Sequence, residues 1–216
     1  MSENKAEIAK TLELFPESKS YAGVYDHYHL LNDRTILAHA IHLSEEEIEL
    51  LLERKCGLSH CPVSNLNLSS GLFRLVELAE RGLKIGLGSD ISGGYAVGML
   101  SVIREASTVS RGLALQQPSL HGRSVSLEAL FYLATLGGAH VCGLENRVGK
   151  LEGGYEFDAL LINTYPATAR QAPVNPGLYV HEDDTLSSAF EKWVFCGDDR
   201  NISSVFVQGR LVSGSL

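Results

Sequence analysis

The sequence predicts an α/β fold followed by a smaller part made mainly of strands. Short β-rich runs alternate with helical patterns as far as about Gly143, and strands that alternate with helices usually pair in parallel. These runs are continuously apolar, which indicates strands buried on both faces. Beyond Gly143, strand-like runs follow one another with no strong helical pattern between them. An open doubly wound sheet and a (β/α)8 barrel are both compatible with the first part.

Apolar periodicity and capping signals divide the α/β part into elements. Ser44 and Glu47 form a capping-box pattern that opens one helix, and Ser126 is placed to cap another. The polar and aromatic stretch 16–33 predicts a loop. The predicted strands are 35–40, 58–61 and 84–87, and the predicted helices are about 5–15, 45–54, 72–81, 97–111 and 127–136.

The part after Gly143 predicts a small β subdomain. Its strand-like runs are 158–163, 192–196 and 204–212. Glycines between and within these runs, such as Gly209, are turn signals.

Composition and charge limit the function classes. The 216 residues are 44% hydrophobic and 20% charged, which is typical of a soluble globular chain. The formal net charge of −8 argues against a nucleic-acid partner, because phosphate binding needs a basic surface. No secretory signal and no apolar stretch long enough to cross a bilayer is visible, so no membrane partner is expected. The four cysteines form no CxxC pair, which favours free thiols in a reducing cytosol.

Four polar side chains lie where chemistry is expected in such a fold. In (β/α)8 barrels, catalytic and ligand-binding residues lie beyond the carboxyl ends of the strands. His39, His60 and Asp90 each close a predicted strand. Glu3 immediately precedes the first predicted helix, where a strand end would lie if a strand came before it.

Each of these residues also has a simpler structural interpretation. His39 could make a hydrogen bond or pack, and His60 could hold the loop that leads into Pro62. Asp90 could cap the turn before the next helix. Glu3 could be a first-turn acid favoured by the helix dipole. Spacing alone leaves these alternatives open.

Five segments of the chain carry recognisable motifs. They are HCPVSNLNLSSG (60–71), KIGLGSDISGGY (84–95), LATLGGAHVCGL (133–144), GKLEGGYEFDALLIN (149–163) and GDDRNISSVFVQGRLV (197–212). Together they resemble guanine deaminases, within the amidohydrolase superfamily, over essentially the whole chain. The GDDRN run and the SGGY after Asp90 favour this family over relatives that act on triazines, cytosine or adenosine nucleosides.

The resemblance implies a metal-dependent-hydrolase (β/α)8 TIM barrel with a β-sandwich built from both chain ends. Residues 1–145 then match the C-terminal half of the barrel, and residues 146–216 match a segment of the β-sandwich. The resemblance also implies zinc as cofactor, guanine as small-molecule substrate, and a cytosolic homodimer.

The same resemblance assigns roles to three residues. Asp90 matches the family's metal-binding Asp, and His39 matches the active-site His that follows the sixth strand. Met1-Ser2-Glu3-Asn4 matches the last four positions of a His-x-Ser-Glu-Asn motif, so Glu3 matches the proton-shuttling Glu. These three are the expected catalytic and substrate-binding residues, with Asp90 as the metal ligand.

The metal-ligand His of that motif would stand directly before Met1, and the family's HxH pair of ligands is also outside this sequence. A catalytic zinc normally takes about three protein ligands. We therefore expect that the chain on its own does not deaminate guanine. Two alternatives stay open: a catalytically inactive fragment that acts only as an interaction partner, and a related amidohydrolase with another substrate.

Overall fold

The structure, a computed structural model, describes residues 1–116, 123–164, 178 and 180–214. The chain forms two compact units, Met1–Glu145 and Asn146–Leu216. Helices and strands are both present, which confirms the mixed α/β prediction. Within the described residues, no helix is both long and apolar enough to cross a membrane.

The first unit contains three parallel strands that lie side by side in chain order. Ile36 of the first strand pairs with Gly57 of the second, and Leu58 pairs with Ile85 of the third. All three predicted strands are confirmed: the first is shorter than predicted, the second is shifted by one residue, and the third has the predicted bounds. The strands are β1 (Ile36–Ala38), β2 (Gly57–His60) and β3 (Lys84–Leu87). The helices are α1 (Lys5–Leu14), α2 (Tyr21–His27), α3 (Glu45–Glu53), α4 (Pro62–Asn67), α5 (Leu75–Glu80), α6 (Met99–Gln116), α7 (Leu127–Ala134) and α8 (Leu136–Val141).

Side-chain caps fix where several helices begin. Asn4 Oδ1 accepts a hydrogen bond from the Glu7 amide at 2.8 Å, at the start of α1. Ser44 and Glu47 form the predicted capping box, with reciprocal bonds of 3.2 and 3.0 Å. Ser126 caps α7, as predicted. Each such cap satisfies backbone donors that the helix itself leaves free.

Two glycines allow helix α8 to lie very close to the parallel strands. A Cβ atom on Gly57 would be 2.8 Å from Cγ1 of Val141, and one on Gly86 would be 3.0 Å from Cα of Gly138. Neither position has room for a side chain. Helix α8 therefore packs directly on the backbone of β2 and β3.

The prediction that residues 16–33 form only a loop is wrong, because α2 lies within them. Ser20 caps this helix, and Ala22 and Val24 are buried. The Ala22 amide also donates to Oε1 of the buried Glu47 at 2.9 Å. Two small buried side chains among aromatic and charged neighbours gave too weak a periodicity for a prediction.

Helix boundaries differ from the prediction at three further places. The predicted helix 72–81 starts only at Leu75, and the helix predicted to end at 111 continues to Gln116. The helix predicted over 127–136 breaks at Thr135, whose φ of −125° and ψ of −99° are not helical. Pro62–Asn67 is also helical, because Pro62 stands in the first turn, where its missing amide proton is not needed.

The described residues of the second unit form a three-stranded antiparallel sheet, one α-helix and a short 3-10 helix, Asp199–Asn201. The elements are β4 (Ala159–Ile162), α9 (Leu186–Cys196), β5 (Ile202–Val207) and β6 (Arg210–Gly214). The predicted strand 204–212 is in fact a hairpin, in which Gln208 and Gly209 both adopt positive φ. The predicted strand 192–196 is wrong, since these residues end α9. Thr185 caps that helix, and Trp193 and Val194 are buried.

Candidate active site

Three side chains meet beyond the carboxyl ends of the parallel strands. Nε2 of His39 lies 3.9 Å from Oε2 of Glu3 and 3.9 Å from Oδ2 of Asp90. The side chains of His39, Glu3 and Asp90 are 13%, 19% and 37% exposed, respectively. An imidazole between two carboxylates, partly open to solvent, can receive and release protons.

The backbone explains why Glu3 reaches this cluster. The Met1 amino group donates to the carbonyl oxygen of Ala38 at 3.2 Å, and the Ala40 amide donates to the carbonyl oxygen of Met1 at 3.0 Å. The amides of Ile41 and His42 both donate to the carbonyl oxygen of Ser2, at 3.1 Å each. The first residues are thus bound to the end of β1, beside His39.

Left-handed backbone conformations concentrate in the same region. His39, Ala40 and Asp90 have φ values of 67°, 50° and 46°. Positive φ is unfavourable for residues with a Cβ atom, and such conformations cluster at functional sites. They turn the chain sharply at the strand ends, so that His39 and Asp90 face each other.

Asn65 of helix α4 holds the ring of His39. Nδ1 of His39 lies 3.0 Å from Oδ1 of Asn65, which is buried. The other ring nitrogen, Nε2, is directed toward the two carboxylates. His39 therefore makes the hydrogen bond that its structural interpretation proposed, and still offers one nitrogen to the cluster.

Two groups hold Glu3. The Ser70 hydroxyl donates to Oε1 of Glu3 at 2.7 Å, and the Glu3 amide donates to Oε2 of Glu7 at 2.9 Å. The other oxygen of Glu7 accepts from the Tyr21 hydroxyl at 2.9 Å. Burial, together with the hydrogen bonds that Tyr21 makes with Tyr25 and Glu7, raises the pKa of Tyr21 far above its usual value. Glu3 precedes the cap Asn4 and is not a first-turn acid of α1.

The loop that carries Asp90 is closely packed. The Gly94 amide donates to the Asp90 carbonyl oxygen at 2.7 Å, and Nδ2 of Asn67 donates to the Gly93 carbonyl oxygen at 2.8 Å. A Cβ atom on Gly93 would lie 2.7 Å from both Oδ2 of Asp90 and Oγ of Ser64. A side chain at position 93 would therefore push the Asp90 carboxylate or the Ser64 hydroxyl out of place.

His60 is a core residue and lies outside the cluster. It is fully buried, and its ring stacks on Phe73 with centroids 4.5 Å apart and planes 16° from parallel. Neither ring nitrogen has a hydrogen-bond partner within the described residues. Burial lowers the pKa of His60 to about 3, so its ring is uncharged at neutral pH.

The described residues offer some of the groups that a zinc ion needs, but not a full set. Carboxylate and imidazole groups are zinc ligands, but a catalytic site normally takes about three from the protein. Among residues 1–116, 123–164, 178 and 180–214, no group of three His, Cys, Asp or Glu side chains could hold a metal ion. The described residues therefore do not fit a complete zinc site by themselves.

Sequence reasoning proposed Glu3, His39 and Asp90, which the structure brings together, but it did not point to Asn65 and Ser70, which contact two of them. Both lie in the segment 60–71, and their amide and hydroxyl groups have no distinctive spacing. Only the fold shows that they touch the cluster.

Known proteins that are similar to this chain in sequence and in structure include guanine deaminases. The family model for the amidohydrolase family matches residues 1–212. The chain is 47% identical over 216 residues to a probable guanine deaminase of Schizosaccharomyces pombe, covering 99% of this chain and 39% of that protein. It is 42% identical over 212 residues to guanine deaminase of Mus musculus, covering 98% of this chain and 46% of that protein.

Among solved structures, the chain is similar to a guanine deaminase from C. acetobutylicum with guanine bound in its active site. The TM-score is 0.86 at 36% identity, covering 99% of this chain and 47% of the other. The chain thus spans less than half the length of these relatives.

Proposed function

The chain belongs to the amidohydrolase family, and from that premise we propose that it carries proton-transfer residues of a guanine deaminase. The reaction is the hydrolytic deamination of guanine to xanthine and ammonia. The observation that carries the proposal is the meeting of Glu3, His39 and Asp90, with both carboxylates 3.9 Å from one ring nitrogen. The guanine deaminases to which the chain is similar support the choice of substrate.

Each residue of the cluster has a role in the proposed reaction. Water adds to the ring carbon that bears the exocyclic amine, and Asp90 accepts or steers the proton that the water loses. Glu3 delivers a proton to the ring nitrogen of the purine. His39 holds the proton between the two carboxylates. The added hydroxyl then gives its remaining proton, through the same residues, to the exocyclic amine. The carbon–nitrogen bond breaks, the carbonyl of xanthine forms, and ammonia leaves. Side chains within hydrogen-bond reach of the reacting atoms typically contribute about 10²- to 10⁴-fold each to such proton transfers.

Zinc is proposed as the cofactor, and Asp90 as one of its ligands. The proposal rests on the family, because the described residues hold no complete set of ligands. For that reason, no step of the reaction above is assigned to the metal.

We also propose the complete fold of which this chain would form a part. Residues 1–145 would form the C-terminal half of a (β/α)8 barrel, and residues 146–216 part of a β-sandwich. Parallel strands in chain order, joined through helices, support the first assignment. A cytosolic homodimer that acts on free guanine, with no nucleic-acid or membrane partner, is proposed on the same resemblance. The net charge of −8 disfavours binding to a phosphate backbone.

The test uses a grafted enzyme, in which this chain replaces the matched segment of the Schizosaccharomyces pombe relative. We expect the grafted enzyme to convert guanine to xanthine, measured by absorbance, and to prefer guanine over adenine, cytosine and aminotriazines. The host protein with its matched segment deleted is the negative control, and the intact host protein is the positive control. A folded, zinc-loaded graft that turns over none of these compounds would support an interaction partner instead. A preference for another compound would support a related amidohydrolase.

A further inference from the structure

Helix α4 and the turn that follows it contact all three segments that carry the candidate site. Asn65 binds the ring of His39, and Ser70 binds the carboxylate of Glu3. Asn67 binds the carbonyl oxygen of Gly93, in the loop after Asp90. A single stretch, residues 62–70, thus binds the His39 ring, the Glu3 carboxylate and the backbone of the loop that follows Asp90.

From this arrangement we infer that Asn65 and Ser70 are positioning residues, which orient His39 and Glu3 for proton transfer. The inference rests on the proposed function for the identity of the reaction. It does not depend on that function for the orientation of the ring and the carboxylate, which can be measured separately.

Asn65 determines which nitrogen of His39 carries the proton in the neutral ring. In the amide orientation of this structure, Oδ1 faces Nδ1 of His39 at 3.0 Å, and since Oδ1 can only accept a hydrogen bond, this orientation requires the proton on Nδ1. Nε2 then has a free lone pair, and that pair is directed at Glu3 and Asp90. With the opposite tautomer, Nε2 would already hold a proton and could not accept one from either carboxylate.

The amide nitrogen of Asn65 does not contribute to this arrangement. Asn65 is buried, and its Nδ2 atom has no hydrogen-bond partner within the described part of the chain. An unpaired buried donor is unfavourable. The reversed amide orientation would place Nδ2 against Nδ1 of His39 and the ring proton on Nε2, so the tautomer of His39 reports which orientation the side chain takes.

Ser70 acts on the other partner in the same way. Its hydroxyl donates to Oε1 of Glu3 at 2.7 Å, which leaves Oε2 directed at His39. The carbonyl oxygen of Ser70 in turn lies 2.9 Å from Nε2 of His42, which fixes the turn. One carboxylate oxygen is thus anchored, and the other is free to exchange a proton.

The kinetic test compares variants of the grafted enzyme. We expect Asn65→Leu and Ser70→Ala to lower kcat by about 10- to 100-fold with little change in KM, which is the usual effect of removing a group that orients a functional histidine or carboxylate. Asn65→Asp keeps an acceptor atom at the same place and should restore part of kcat. Ser64→Ala is the matched control, because its hydroxyl is buried in the same helix and has no hydrogen-bond partner among the described residues.

The spectroscopic test does not need activity. Ring nitrogen-15 shifts of His39, assigned with His39→Gln in the 216-residue chain, should show the proton on Nδ1, and Asn65→Leu should remove that preference. A proton on Nε2 in the unsubstituted chain would overturn the inference, as would equal losses of kcat in Ser64→Ala and Ser70→Ala. If the unsubstituted graft is inactive while His39 carries its proton on Nδ1, the proposed function fails and the inference stands.

Discussion

His60 makes the stability of this chain depend on pH in a way that one substitution can remove. Burial lowers the pKa of its ring from 6.5 to about 3. In the unfolded chain the ring takes up a proton below about pH 6.5, whereas the folded chain resists that proton down to about pH 3. The stability contributed by the neutral buried ring is therefore full above pH 6.5 and is lost as pH falls. The slope is about 1.4 kcal/mol per pH unit, so about 2 kcal/mol is lost between pH 6.5 and about pH 5.

The assay is urea unfolding of the full chain at several pH values, compared with His60→Phe and His140→Gln. Phenylalanine keeps a flat ring to stack on Phe73 and removes two unpaired buried nitrogens. Titration of the carboxylates is common to all variants and cancels in the difference. Between about pH 6.5 and 5, we expect the free energy of unfolding of His60→Phe to fall by about 2 kcal/mol less than that of the parent. His140→Gln, which removes an exposed imidazole, should follow the parent. Parallel curves for the parent and His60→Phe would refute the reasoning.

Three further predictions concern a helix cap, a glycine and the metal. Ser44→Ala removes half of a capping box and should lower the free energy of unfolding by about 1 kcal/mol. An unchanged midpoint of urea unfolding would contradict this prediction. Gly93→Ala would place a methyl group against the Asp90 carboxylate and should lower kcat of the grafted enzyme by about 100-fold, because a shift of about 1 Å at a reacting group has that effect. Gly98→Ala, where a Cβ atom meets nothing within 4 Å, should leave kcat unchanged, and equal losses would count against the geometry. The 216-residue chain should bind far less than one zinc ion per molecule by elemental analysis, and near-stoichiometric zinc with turnover would show a site built from other ligands.

The α/β organisation could be predicted because its signals are local. Continuous apolar runs marked the three parallel strands, and Ser44 and Ser126 marked helix starts. The errors arose where tertiary packing determines the structure. The run 192–196 has β-rich composition, yet it ends α9, because the cap at Thr185 and the burial of Trp193 and Val194 favour a helix.

The candidate site could be predicted only in part, for a similar reason. Glu3, His39 and Asp90 were chosen by their motifs and strand-end positions, and the structure brings the three together. Asn65 and Ser70 are common residues in a short polar run. Their contacts join residues 26 and 67 positions apart, which no local pattern reports.

Substitution of Glu3 by glutamine in the grafted enzyme tests the central claim most directly. The amide keeps the size of the side chain but cannot shuttle a proton, so kcat for xanthine formation should fall by at least about 100-fold. Glu13→Gln, which makes the same chemical change at an exposed position of α1, should leave kcat unchanged. If the Glu3→Gln graft deaminates guanine as fast as the unsubstituted graft, Glu3 does not transfer the proton and the account of this site is wrong.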